Sequence, residues 1–208
     1  MPDFRLKRMG MIMEPRAGEP NEVEGVLNPA AIRGRDGQLY LFPRLVARGN
    51  YSRIGLTRVL FDVNGDPKDI ERMGIALEPE ADYELTETGG GCEDPRITYL
   101  EPLQHYVMTY TALSRNGPRI AVAVSDDLFT WRRLGLAKFH PYHHIAFDDV
   151  DDKDASVSRV DPRSVGQGGG RAYSPAVVSR NAAGRKSARR LVRGCGSGMY
   201  LDLILPRG

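Results

Sequence analysis

Gly89-Gly90-Gly91-Cys92-Glu93-Asp94-Pro95-Arg96-Ile97 concentrates more potential chemistry than any other stretch of this sequence. Three glycines let backbone come close to a neighbour, two adjacent carboxylates follow, and Pro-Arg opens an extended segment. A carboxylate pair placed this way suits proton donation to a leaving oxygen or the binding of sugar hydroxyls. The same residues also suit a Gly-rich turn with a strand cap and a surface ion pair. A second set, Asn28, Asp94 and Asp154, falls where strands would open. A third set, Arg44, Arg53, Arg96 and Lys153, puts cations at or near the same strand ends. Converging cations bind phosphate or carboxylate, whereas scattered ones are solvated surface. His140, His143 and His144 lie close together, but His143 and His144 are adjacent and point opposite ways on a strand. No metal site is therefore expected. Trp131 reads as a packing residue.

The elements that position these groups read as β-structure over residues 1–154. Leu39-Tyr40-Leu41-Phe42, Ile54 to Phe61, Tyr106 to Tyr110 and Ile120 to Val124 are short aliphatic, aromatic and β-branched runs. Asp36-Gly37, Asn64-Gly65, Asn116-Gly117 and Asp126-Asp127 supply turn chemistry between them. One stretch, Asp69 to Leu77, has a helical look. A repeat then narrows the fold. At an offset of 66, Asn28-Pro29-Ala30-Ala31-Ile32 lies over Asp94-Pro95-Arg96-Ile97-Thr98, Leu39-Tyr40-Leu41-Phe42 over His105-Tyr106-Val107-Met108, and Arg53-Ile54-Gly55-Leu56 over Arg119-Ile120-Ala121-Val122. Each unit holds about four strands, the content of a propeller blade. In a propeller the innermost strands line the central channel, so Asn28, Asp94 and Asp154 would converge there on a polyhydroxylated ligand. They would equally serve as caps of inter-blade turns.

The charge is divided unevenly. Residues 1–154 carry 19 Lys/Arg and 25 Asp/Glu, whereas residues 155–208 carry ten Lys/Arg against Asp161 and Asp202. The second segment also holds nine glycines and no Phe or Trp. It reads as a basic tail or as a shifted reading frame; the latter explains the abrupt loss of blade-like pattern, and the segment is expected to lack blade strands. A nucleic-acid arm is a separate class of reading, predicting salt-dependent binding by residues 155–208 alone. Two cysteines, Cys92 and Cys195, cannot make a disulfide framework, and no apolar run is long enough to span a bilayer. With no apolar stretch after the charged N-terminus, a cytoplasmic protein is expected.

Asn28-Pro29-Ala30, Tyr51-Ser52-Arg53-Ile54-Gly55-Leu56, Gly91-Cys92-Glu93-Asp94-Pro95-Arg96-Ile97, Tyr110-Thr111-Ala112, Ser125-Asp126-Asp127-Leu128-Phe129-Thr130-Trp131 and Asp152-Lys153-Asp154-Ala155 together resemble glycoside hydrolase family 130. That family comprises β-mannoside phosphorylases and related hydrolases. The resemblance implies an all-β fold, a partial five-bladed β-propeller with two to three blades present, in which residues 1–154 form an incomplete catalytic domain. Five units of 66 residues need about 330, so about two blades fall outside this sequence. It further implies Asp94 as proton donor, Asn28, Arg44, Arg53, Glu93, Arg96 and Asp154 as sugar-binding residues, and Arg53 and Lys153 as phosphate cations. Inorganic phosphate would be the co-substrate, with no cofactor and no metal. The expected partners are a β-mannoside oligosaccharide and phosphate, not nucleic acid or membrane, with assembly into a homo-oligomer left open. The expected activity is inverting transfer of a β-mannosyl group to phosphate. Hydrolysis in the same fold and an inactive sugar-binding remnant are the alternatives. The family's Leu-Phe-Pro-Glu type continuation is absent after Ala155, where Val157-Ser158-Arg159 stands.

Overall fold

A computed structural model describes residues 4–87 and 89–137, together with short strands at 155–157, 178–180, 192–195 and 198–206. Two antiparallel four-stranded meanders make up its centre. The first runs through β2 (Gly25–Arg33), β3 (Leu39–Ala47), β4 (Tyr51–Phe61) and β5 (Pro67–Leu77). The second runs through β6 (Gly90–Leu100), β7 (His105–Ser114), β8 (Gly117–Ser125) and β9 (Arg132–Leu136). A parallel contact of two residues, Tyr51 with Gly90 and Ser52 with Gly91, joins them. These are the two blades that the 66-residue offset predicts.

The repeat holds down to single dihedrals. Asn28 and Asp94 are both left-handed, at φ 44° and 48°. Each sits at a register shift with the following strand, between Leu27 and Ala30 in one blade and between Glu93 and Arg96 in the other. Only Asn, Asp and Gly adopt this conformation readily, so the backbone alone restricts both positions.

A shared core binds the two blades face to face. Tyr40, Phe42, Ile54 and Leu56 of the first pack with Cys92, Tyr106, Met108, Tyr110 and Ala123 of the second. Trp131 meets Phe42 edge-on at 5.8 Å between ring centroids, which gives it the packing role the sequence suggests. Asp127 shapes the turn beneath it by accepting the Phe129 and Thr130 amides, both at 2.8 Å. The opposite face of the first blade carries a second core of Val26, Leu39, Leu41, Leu45 and Val59, capped by Met13.

One sequence expectation needs amending. Asp69 to Leu77 is strand, not helix: it lies in β5, which pairs with β4 across three register shifts. Those shifts, with Gly74 at φ 107°, break the two-residue alternation by which a strand is recognised. Four short strands are described within the basic segment. β12 (Val192–Cys195) and β13 (Gly198–Pro206) form a hairpin, and β13 pairs with β1 (Phe4–Met13) at the other end of the chain. A further short pair joins β10 (Ala155–Val157) and β11 (Val178–Arg180).

The triple glycine has a backbone explanation. A Cβ on Gly89 would lie 2.3 Å from the Gly49 carbonyl oxygen, and one on Gly91 would lie 2.3 Å from that of Ser52. The glycines thus let β6 enter flush against β4, which sets the Glu93-Asp94 pair beside the first blade. Gly91→Ala, at φ 109°, is expected to lower unfolding free energy by roughly 2–3 kcal/mol from backbone strain and displacement of β4. Urea titration checks this; a change below about 0.5 kcal/mol would mean that β6 does not need the close approach.

Candidate functional site

Arg44 is the centre of the cluster that the repeat brings together. It lies on β3, a strand buried along nearly its whole length, and its side chain is only 11% exposed. A guanidinium in such a strand must find partners, since an unpaired buried charge is costly. Its Nε donates to Ser52 Oγ at 2.9 Å, and its Nη2 donates to Asn50 Oδ1 at 2.9 Å and Glu93 Oε1 at 2.8 Å. Its Nη1 reaches Asp94 Oδ1 at 3.4 Å. Asn28 Nδ2 donates to the same oxygen at 3.0 Å, across the offset of 66 residues.

The two carboxylates of this cluster sit in different surroundings. Glu93 is 1% exposed and turned into the protein, whereas the Asp94 side chain is 25% exposed. Both donors near Asp94 address Oδ1, and among the described residues none addresses Oδ2. A carboxyl held by one oxygen with the other open toward solvent can present a proton to a ligand. Asn28, Arg44, Glu93 and Asp94 are therefore gathered in one place.

Other candidate residues stand apart from this group. Arg53 pairs across the ladder with Leu45, whose side chain lies in the second core, whereas Arg44 pairs with Ile54 of the first. Successive strand residues face opposite ways, so Arg53 lies on the other face of β4. Its Nε donates to Glu78 at 2.6 Å, its guanidinium stacks over Tyr51 at 4.7 Å, and its Nη1 is buried without a hydrogen-bond partner among the described residues. Arg96 is exposed and its Nη1 donates to the Pro95 carbonyl. Lys153, Asp154 and the histidines at 140–144 lie outside the described residues. Burial pushes the Cys92 thiol up, which leaves it unreactive beside Glu93.

A second polar cluster, which the sequence does not announce, supports the second blade. Glu84, fully buried in the loop before β6, accepts from Arg133 Nε at 2.9 and 3.2 Å, from the amides of Glu80 and Ala81 at 2.9 and 3.1 Å, and from the Tyr110 hydroxyl. Burial alone would raise the Glu84 carboxyl. Arg133, the two amides and the Tyr110 hydroxyl outweigh that and hold it below its ordinary value. Tyr110 occupies the position equivalent to Arg44 in the second blade, so the two repeats fill this place with different chemistry.

Comparison with known proteins follows the same lines. The family model for glycoside hydrolase 130, described as a beta-1,4-mannooligosaccharide phosphorylase, matches residues 4–160. A 1,2-beta-oligomannan phosphorylase from Thermoanaerobacter sp. (strain X514) is 29% identical over 146 residues, covering 66% of this chain and 47% of that protein. A solved structure described among family-130 glycoside hydrolases that target β-1,2 mannosidic linkages in Candida mannan superposes with a TM-score of 0.57 at 25% identity. The match covers 74% of this chain and 46% of that one. A glycosyl hydrolase from Bacteroides ovatus gives 0.55 at 25% identity, covering 74% and 47% respectively. This chain thus spans about half the length of the relatives it matches.

Proposed function

From the premise that the chain belongs to glycoside hydrolase family 130, we propose that it supplies the proton-donor side of a β-mannoside phosphorylase site. Asp94 is the general acid. The observation that carries this reading is the grouping of Asn28 and Asp94, at equivalent bulges of the two blades, with Arg44 of β3, Oδ2 of Asp94 being left open among the described residues. In the proposed reaction the glycosidic C–O bond breaks, its oxygen takes the proton from Asp94, directly or through a sugar hydroxyl, and phosphate forms the new bond at the anomeric carbon from the opposite face. The products are an α-mannosyl phosphate and the shortened saccharide, with inverted configuration. Asn28 and Arg44 orient the sugar and the acid.

The test is phosphate-dependent release of mannose 1-phosphate by the purified protein from a panel of β-mannosides. Free mannose released without phosphate would instead establish hydrolysis, the reading to which the likeness to the β-1,2-mannoside hydrolases gives support. Release of neither product would leave a sugar-binding remnant.

Arg53, which the resemblance offers as a phosphate cation, faces away from the Asp94 cluster, and its ion pair with Glu78 supports a structural role. Arg53→Ala is then expected to lower the melting temperature and to leave KM for phosphate and for the mannoside unchanged. A rise in KM for phosphate of about tenfold or more would instead put Arg53 at the phosphate. Steady-state kinetics with the two substrates varied separately decides between them.

A further inference from the structure

Glu93 differs from the other members of the Asp94 cluster in facing away from any ligand, with its side chain 2% exposed. Arg44 Nη2 holds Glu93 Oε1 at 2.8 Å. We propose that Glu93 is a positioning residue: it locks the Arg44 guanidinium so that Nη1 anchors Oδ1 of Asp94 and leaves Oδ2 to carry the proton. The proposal deepens the phosphorylase reading and, for its catalytic consequence, rests on it.

The geometry follows from guanidinium planarity. Nε is fixed by Ser52, and Nη2 is fixed by Glu93 and Asn50. With two of three nitrogens set in one plane, the position of Nη1 is no longer free. It comes to Asp94 Oδ1 at 3.4 Å, the long end of the set, while Asn28 takes the same oxygen at 3.0 Å. Charge divides in the same sense. Among the described residues Arg44 stands between the two carboxylates, and the buried one carries a heavy desolvation cost that the guanidinium offsets. Arg44 therefore neutralises Glu93 chiefly and only orients Asp94. Loss of the Glu93 charge frees the guanidinium to turn onto Asp94 and engage both of its oxygens, which would block proton delivery.

Glu93→Gln keeps the size and an acceptor while removing the charge. With an unactivated β-mannoside, kcat is expected to fall roughly 10- to 100-fold with KM nearly unchanged, because the acid is misplaced rather than the sugar. With a nitrophenyl β-mannoside, whose leaving group needs no proton, kcat should change less than about twofold. Equal losses on both substrates, or a rise in KM as the main effect, would overturn the proposal in favour of a structural or sugar-binding role. A second readout does not depend on turnover. Nitrogen-15 NMR should show resolved, slowly rotating Arg44 Nη signals in the parent protein and averaged signals in Glu93→Gln. Unchanged signals would overturn the locking step, whereas a parent protein that turns over neither substrate would count against the phosphorylase reading and leave the locking step to the NMR result. Should Glu93→Gln fail to fold, Glu93→Asp keeps the charge but withdraws the carboxylate from Arg44 Nη2. The same loss confined to the unactivated substrate is then expected, and equal loss on both would overturn the proposal.

Discussion

Asp94→Asn is expected to reduce kcat on unactivated β-mannosides by about 10²–10⁴-fold, the usual contribution of a general acid, while KM for the sugar stays close to that of the parent. The substitution is unusually clean at this position. Asp94 is left-handed at φ 48°, and Asn28 shows in the preceding blade that Asn accepts the same conformation, also before a proline. The amide oxygen can keep both contacts made by Oδ1, to Asn28 and Arg44. What is lost is the transferable proton on the open oxygen, which an amide nitrogen cannot replace. Asp94→Ala would be a poorer test, since it adds backbone strain to the loss of the acid. Near-normal kcat for Asp94→Asn on unactivated substrates would take Asp94 out of catalysis and leave it as the residue that shapes a bulge.

The Asn28–Asp94 equivalence was legible because the repeat preserves a backbone requirement as well as a side-chain type. A left-handed bulge before proline admits few residues, and such restriction survives as a visible motif. The role of the triple glycine was half legible. Glycine announces close approach, but only the parallel seam with β4 identifies the Gly49 and Ser52 carbonyls as the neighbours. Arg44 gave a weak signal, a lone cation inside an otherwise apolar strand, and its four partners come from two other strands and a turn. Arg53 lies close to it in sequence, yet one residue of strand alternation sends it to the other face. The Glu84 cluster left no trace, because its main partner, Arg133, is 49 residues distant on an outer strand. Spacing along the chain does not record a pairing made only by the packing of a loop onto a sheet.

That hidden pair yields the largest stability effect expected in this protein. Arg133→Met keeps the aliphatic bulk of the side chain but leaves Glu84 with no cation, and breaking a buried pair in this way costs about 3–5 kcal/mol at neutral pH. The pH dependence carries its own sign. In the parent protein the folded Glu84 carboxyl titrates below its ordinary value of 4.5, so its contribution is fully present above that value and is lost as pH falls below it. Removing Arg133 takes away the strongest of the effects that lower it and lets burial, which raises it, gain ground. Glu84 in the variant then favours the neutral form, and the penalty is relieved as pH falls from 7 toward 4.5. The deficit between variant and parent should therefore be widest at pH 7 and narrow on acidification. Urea unfolding of both proteins at a series of pH values measures it. A deficit that stays constant between pH 7 and 4.5 would show that Arg133 acts through packing and its contacts with Glu78 and Glu80 rather than by neutralising Glu84.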